Sequence, residues 1–309
     1  MSDEIHSAKI TPAWIALDWG TSHLRGWAMS AERDVLAEAA SDAGMGRIAQ
    51  GDFEAALLDL VSGWELPSNV PVIACGMVGA RQGWKEAPYR KVPCPPLAGP
   101  LTSVLTNDPR LGVAIVPGLS QDRPPDVMRG EETQIAGFLS LDPDFDGVIC
   151  LPGSHTKWVR VSAGEIVSFQ TAMTGELYAA ISDHTVLRHS VTTEDWNDDA
   201  FRSAVSDAIS RPESLSTRLF SIRAEGLSRS LDPGTARARL SGLLIGAELA
   251  ATRAHWLGMQ VALIGTKTIC DAYDKALEAQ GVRAMRTKGE AMSLAGLSEA
   301  LKISGGDPS

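Results

Sequence analysis

Along this chain, short apolar runs alternate with longer stretches in which apolar residues recur every three or four positions. A short apolar run closed by glycine reads as a buried strand, and the three-to-four spacing reads as one face of a helix. On that basis strands are predicted at Trp14–Asp18, at Leu24–Met29, and from Val70 into a glycine-rich turn ending at Gly79. Further strands are predicted at Val113–Val116, Gly147–Leu151, Lys157–Val161, Glu165–Gln170 and Val261–Gly265. The helical spacing predicts helices over Asp52–Trp64, Gly130–Leu139, Leu240–Trp256, Asp271–Ala279 and Glu290–Leu301, with another beginning near Gly175. Two segments break the alternation. Ala80–Pro100, rich in Pro, Gly, Trp and Tyr, predicts a long shaped loop. The polar stretch 192–232, with scattered apolar residues, predicts an exposed helical insertion, and the tail Ser304–Ser309 is expected to fray. Strands alternating with helices define an α/β protein.

The pattern also repeats. Trp14-Ile-Ala-Leu-Asp-Trp-Gly-Thr-Ser-His-Leu-Arg-Gly-Trp27 and Gly147-Val-Ile-Cys-Leu-Pro-Gly-Ser-His-Thr-Lys-Trp158 share one order: apolar run, glycine, small hydroxyl residue, histidine, basic residue, tryptophan. Each predicts a strand, a tight turn and a returning strand. The same phosphate-friendly hairpin in both halves points to two related lobes gripping one nucleotide.

Composition narrows the function class. The 309 residues are 44% hydrophobic, enough for a large core, and carry a net charge of -10 with no Lys/Arg-rich run. Clustered positive charge is what nucleic acids and anionic membranes require, so neither is expected as a partner. Cys75, Cys94, Cys150 and Cys270 form no C-x-x-C pair, and reduced thiols are expected. Met1–His6 lacks the basic start and apolar stretch of a signal peptide, and the apolar span Leu240–Ala251 is short for a bilayer and contains Glu248. A soluble, cytoplasmic protein is the expectation.

In the first hairpin Asp18 closes a strand beside Gly20, Thr21 and Ser22. Such a turn offers backbone N–H groups and hydroxyls to phosphate oxygens, and the carboxylate is a candidate for Mg²⁺. A plain capped turn is the alternative. Gly153, Ser154, His155, Thr156 and Lys157 repeat the arrangement, with the lysine adding charge to a polyphosphate clamp. The P-loop, G-x-G-x-x-G, H-E-x-x-H and G-x-S-x-G motifs are absent from the sequence, and the histidines have no metal-ligand spacing. Between the halves lies Asp126-Val-Met-Arg-Gly-Glu-Glu-Thr-Gln134, polar residues opening an apolar helix. Glu131 and Glu132 could simply favour the helix dipole. A carboxylate aimed at a cleft could instead accept the proton of an attacking hydroxyl, and Asp126 is a third candidate.

Taken together these motifs resemble the actin–hexokinase–sugar kinase superfamily, with Asp18-Trp-Gly-Thr as its first phosphate motif, Gly153–Lys157 as its second and Gly265-Thr266 as its adenosine motif. The closer resemblance is to 2-dehydro-3-deoxygalactonokinases. It rests on Asp18–Arg25, Gly76-Met-Val-Gly-Ala-Arg-Gln-Gly-Trp84 with Glu86–Tyr89, Met128–Gln134, Leu151–Lys157 and Thr171–Leu177. Where most superfamily members place an Asp as base, this chain has Glu. The resemblance implies two ribonuclease-H-like lobes with an interlobe nucleotide cleft. The first lobe would be 1–128 joined by helix 289–301, and the second 129–288. It also implies ATP and Mg²⁺, and transfer of phosphate to a small sugar acid, 2-dehydro-3-deoxy-D-galactonate, giving the 6-phosphate. Such a substrate carries a permanent carboxylate, which suits the guanidinium fork of Arg25, Arg81 or Arg129. Gly76 and Met77 would approach it closely, Trp84 and Tyr89 would wall it, and Thr174 and Glu176 would meet it from the second lobe. A kinase for another sugar acid or sugar is the nearest alternative. A nucleotide-gated regulatory protein of the same fold is another, although it would need neither the acidic helix nor the Arg81–Tyr89 loop.

Overall fold

The computed structural model describes residues 10–305, so the far end of the tail expected to fray, 306–309, lies outside the described residues. The chain forms two compact units, one of Met1–Asp144 with Glu290–Ser309 and one of Phe145–Gly289. In the first unit β1 (Trp14–Trp19), β2 (Leu24–Met29) and β3 (Val35–Ser41) are followed by α1 (Phe53–Leu60) and β4 (Val70–Gly76). The two-residue strands β5 (Arg90–Lys91) and β6 (Thr102–Ser103) precede β7 (Leu111–Ile115), and the hairpin β8 (Leu119–Asp122) and β9 (Pro125–Met128) leads into α2 (Glu131–Leu141). The second unit opens with β10 (Gly147–Leu151), β11 (Thr156–Ser162) and β12 (Glu165–Ala172). Helices α3 (Thr174–His184), α4 (Asp198–Ser210), α5 (Leu215–Arg229), α6 (Pro233–Ala251) and α7 (Arg253–Trp256) come next. It closes with β13 (Val261–Gly265), α8 (Lys267–Glu278) and β14 (Ala284–Lys288), and α9 (Gly289–Ile303) then returns to the first unit.

The two sheets repeat one topology. The first runs β3-β2-β1-β4-β7-β6 and the second β12-β11-β10-β13-β14. In each, the first strand pairs antiparallel with its hairpin partner on one side and parallel with a later strand on the other. This is the ribonuclease-H-like arrangement, present twice. Both faces of the first sheet are covered, which is why β1 reads as one continuous apolar run rather than an alternation. Ile15, Leu17 and Trp19 pack with Phe53 and Leu57 of α1, while Trp14 and Ala16 pack with Leu297 and Leu301 of α9. Among the described residues no helix is long and apolar enough to cross a membrane.

Several expectations need correction. β3 and β14 were not foreseen: each is a sheet-edge strand with much of its length exposed, so neither carries a buried apolar run. The segment 192–232 is helical but not an exposed addition. Phe201 and Val205 of α4 are fully buried with Ile245 and Leu249 of α6, Tyr273 of α8 and the strand residues Val148 and Leu263. The first unit continues through α2 to Asp144, beyond the expected boundary at 128, because α2 packs backbone-to-backbone on α9. A Cβ on Gly137 would land on the carbonyl of Met292, and one on Gly296 on the carbonyl of Thr133.

That crossing generates a stability prediction. Gly137→Ala and Gly296→Ala should each cost roughly 1–3 kcal/mol, since overpacking here displaces main chain rather than a flexible side chain. In scanning calorimetry both should melt well below wild type, whereas Gly63→Ala, with open space around it, should not. Unchanged melting of the two helix variants would show that α2 and α9 are not held in contact.

Candidate functional site

The first unit gathers acidic side chains where β1 and β4 end. Asp18 sits in register with Arg25 on β2 and with Cys75 on β4. The hydroxyl of Ser293 on α9 donates to Asp18 Oδ2 at 3.0 Å, and Gln134 Nε2 of α2 donates to Ser293 Oγ at 3.2 Å. Arg25 Nη1 reaches Glu290 Oε2 at 3.1 Å. Asp18 retains some exposed surface, but it is packed closely enough by protein that desolvation pushes its carboxyl up. Ser293 and Arg25 oppose the rise, while Glu131 and Glu290 add to it. Neither Ser293 nor Glu290 was foreseen from sequence.

Two glycines let the start of α2 reach this strand end. Gly76 has φ 91°, and a Cβ there would lie 2.7 Å from Trp19 O; Gly130 has φ 106°, with its would-be Cβ 3.3 Å from Gly76 Cα. Only glycine takes both conformation and contact without strain. The two glutamates then fold back on the chain. Glu131 accepts from Arg129 N at 3.0 Å, and Glu132 accepts from Gly130 N at 2.9 and 2.7 Å and from Thr133 Oγ1 at 3.1 Å. Glu131 is half-buried and Glu132 has no exposed surface. Burial foremost, and the Glu131 charge next, push the Glu132 carboxyl up to about 8, so it is mostly protonated at neutral pH. Asp126 lies apart from the helix start, on β9 opposite Gln121, where its carboxylate accepts the N–H of Val127 at 2.8 Å.

The turn after β1 is closed by Gly20 N donating to His23 O at 3.0 Å, with Thr21 and Ser22 exposed. The loop at 77–89 is braced from below. Trp84 packs with Trp19 and Phe53, ring centroids 6.1 and 6.4 Å away. Trp84 therefore belongs to an aromatic cluster more than to an open wall. Arg129 donates to Ala87 O at 2.9 Å and lies 4.2 Å over the exposed Tyr89 ring. Its Nε and Nη1 have no hydrogen-bond partner although they are buried. Arg81 is exposed and 3.7 Å from Glu86. Met77 opens a short turn after Gly76.

The second unit contains a cavity of about 610 Å³ whose walls include Gly153, Ser154, Thr174, Gly175 and Thr266. Gly175 is required: a Cβ there would strike the Gly153 carbonyl. Thr266 is the residue before α8, just after Gly265 ends β13, and its hydroxyl makes no capping hydrogen bond. Beneath the cavity the carboxylate of Glu248 accepts from Trp158 Nε1 at 2.7 Å, from Tyr273 at 2.8 Å and from Thr174. Burial pushes the Glu248 carboxyl up while these donors hold it down. Its signal was legible as a lone acid inside an apolar helix. In the second hairpin two side chains sit below the surface of the turn. Thr156 is fully buried, its hydroxyl 2.9 Å from that of Tyr273, so that hydroxyl braces the turn from inside. Lys157 is the second residue of β11 and is buried, not a surface strand residue. His155 is exposed and 2.6 Å from Glu176, so those two residues are spent in part on each other.

A duplicated ribonuclease-H-like fold with a Gly-Ser/Thr turn after the first strand of each unit is that of the actin–hexokinase superfamily. The chain belongs to the 2-keto-3-deoxy-galactonokinase family, whose model matches residues 18–300. It is 39% identical over 297 residues, 94% of this chain and 96% of the relative, to a Rhizobium meliloti protein bearing the name probable 2-dehydro-3-deoxygalactonokinase DgoK1. It is 33% identical to the 2-dehydro-3-deoxygalactonokinase of Escherichia coli K12, covering 93% of this chain and 97% of that protein. The crystal structure of a Sinorhizobium meliloti protein described as a 2-dehydro-3-deoxygalactonokinase superposes with a TM-score of 0.87 at 38% identity, covering 94% of this chain and 98% of that one.

The buried Glu132 carries a pH prediction. A carboxyl whose pKa rises from 4.5 to about 8 on folding stabilises the fold fully below pH 4.5, and that contribution is lost as pH climbs towards 8. Glu132→Gln keeps an acceptor for Gly130 N and removes the titration. Its melting temperature should therefore gain on wild type between pH 5 and pH 8, by several degrees. A constant gap across that range would place the proton elsewhere.

Proposed function

We propose that this protein transfers the γ-phosphoryl of ATP to the terminal hydroxyl of 2-dehydro-3-deoxy-D-galactonate, forming the 6-phosphate in the cytoplasm. The observation that carries the reading is identity of 33–39% over nearly the whole chain to proteins of that name. The nucleotide is assigned to the cavity of the second unit, with phosphates at the Gly153–Ser154 turn. The acid is assigned to the first unit, beside Asp18, Gly76 and Met77. Glu131 is the base: it stands at the cluster around Asp18, whereas Glu132 is already protonated and Asp126 sits on another sheet. Arg25 opposes the charge gathered at Asp18, and the unpartnered nitrogens of Arg129 are buried donors that the substrate's carboxylate would satisfy.

Among the described residues no three His, Cys, Asp or Glu side chains are grouped to cage a metal. Mg²⁺ needs no such cage, since one or two carboxylates plus substrate phosphates and water suffice. Asp18, with Glu131 and Glu290 near, fits that requirement. When bound, the ion would neutralise phosphate charge. The remaining work belongs to the chain: the turns hold phosphates, Arg25 balances charge, and Glu131 takes the hydroxyl proton.

A coupled ADP-release assay over a panel of sugar acids tests this. Turnover should be greatest with 2-dehydro-3-deoxy-D-galactonate and should fall for its gluconate epimer and for neutral sugars. Glu131→Gln should bind both ligands yet lose roughly 10²–10⁴ in kcat. Asp18→Asn should lose turnover while melting as a folded protein. No turnover with any acid overturns the kinase reading, and a Glu131→Gln variant keeping a third of wild-type kcat moves the base elsewhere.

A further inference from the structure

The donor cavity has one wall that the phosphate turns do not explain. Trp196, in the segment that the sequence marked as an insertion, lines it and is 40% exposed, the only tryptophan among the large exposed apolar side chains of the described residues. Large aromatics left open on a cavity are uncommon unless something covers them.

Its position is held by a chain of polar contacts. Trp196 Nε1 donates to Asp198 Oδ1 at 2.8 Å, and the same oxygen takes Lys275 Nζ from α8 at 2.5 Å. Arg237 on α6 donates to Thr193 O at 2.6 Å and pairs with Glu194 at 2.7 Å, pinning the loop before the tryptophan. Phe201 packs against the indole, centroids 5.3 Å apart and planes at 42°. The indole N–H is thus satisfied inside the protein and the ring is oriented before any ligand arrives. What it adds to the cavity is apolar π surface, alongside Leu244, Ile245, Ile269 and Ala272.

We propose that Trp196 is the stacking platform for the base of the phosphate donor, so that the segment 192–232 exists in part to build the base end of the nucleotide site. The inference rests on the kinase reading above and refines where the donor binds. Ser154 offers a hydroxyl suited to phosphate or ribose oxygens, whereas Trp196 with the aliphatic wall offers a slot suited to a flat heterocycle.

Calorimetric titration of ADP into wild type, Trp196→Ala and Trp196→Phe provides the test, with inorganic tripolyphosphate titrated in parallel. Base–aromatic stacking predicts that Trp196→Ala weakens ADP by roughly 5–100-fold, while Trp196→Phe stays within about threefold. Tripolyphosphate, which has no base, should bind both variants as it binds wild type. In the coupled assay the loss should fall on KM for ATP more than on kcat. If Trp196→Ala binds ADP within twofold of wild type, the stacking role is wrong and the kinase reading stands. If ADP and tripolyphosphate weaken together, Trp196 shapes the whole cavity and the proposal fails equally. If wild type binds no ADP at all, both readings fall.

Discussion

In each unit, the segment that follows the third strand lies on the turn of the first hairpin with no room for a side chain between them. Gly44, after β3, presses on the main chain of Thr21 and Ser22, and Gly175, after β12, presses on that of Gly153 and Ser154. A Cβ at either glycine would overlap backbone, not a movable side chain, so no repacking could relieve it. The contact sets where each turn's N–H groups and hydroxyls lie. Two backbone hydrogen bonds reinforce it in the first unit, Met45 N to Gly20 O at 3.0 Å and Gly46 N to Thr21 O at 2.9 Å; Glu176 N to Ser154 O at 3.0 Å does so in the second. A turn proposed to bind phosphate would work by pre-arranged donors, and these contacts supply that rigidity. The duplication therefore extends from topology to the way each turn is held.

The units diverge in how they treat buried carboxylates. The first crowds Asp18, Glu131, Glu132 and Glu290 near one strand end and balances them with Arg25 and Ser293. The crowd is uncomfortable by itself: Asp18 and Glu132 are pushed up by burial, and the Glu131 charge raises both further. Such an arrangement suits a site that is to receive positive charge or give up a proton. The second unit buries a single acid, Glu248, and surrounds it with three donors from β11, α3 and α8. That is a brace, and it ties a strand of the hairpin to two helices that wall the cavity.

Much of the architecture was legible because the central strands are covered on both faces. β1, β4, β10 and β13 are almost wholly apolar, and Gly20, Gly76, Gly153 and Gly265 at or just past their ends marked the turns. The edge strands β3 and β14 carry no such signature, since half of each faces outward. α4 was misread for a different reason. Phe201, Val205 and Ile209 recur at helical spacing, but acidic and polar neighbours in a long polar stretch hid the stripe. At the site, the turns and the acidic helix start were readable as local motifs. The reach of Ser293 to Asp18 was not, because nothing local links residues 275 positions apart. Asp126 was grouped with Glu131 by proximity in sequence, but it belongs to β9 opposite Gln121, whereas Glu131 opens α2.

Trp196 shows how the same limit affects function. In sequence it is one tryptophan of eight, just ahead of a stripe hidden among polar neighbours. Its meaning comes from three helices that hold it. Asp198 begins α4, Lys275 comes from α8, and Arg237 on α6 secures the residues just before it. Each of those contacts is polar and partly exposed, and singly each would contribute little. Together they fix a ring whose N–H is already satisfied, leaving apolar surface as the one thing it can offer. A side chain wanted only for core packing would be buried, and one wanted only for surface polarity would not be an indole. The combination of an oriented ring, a satisfied donor and an open face is what distinguishes a platform from either.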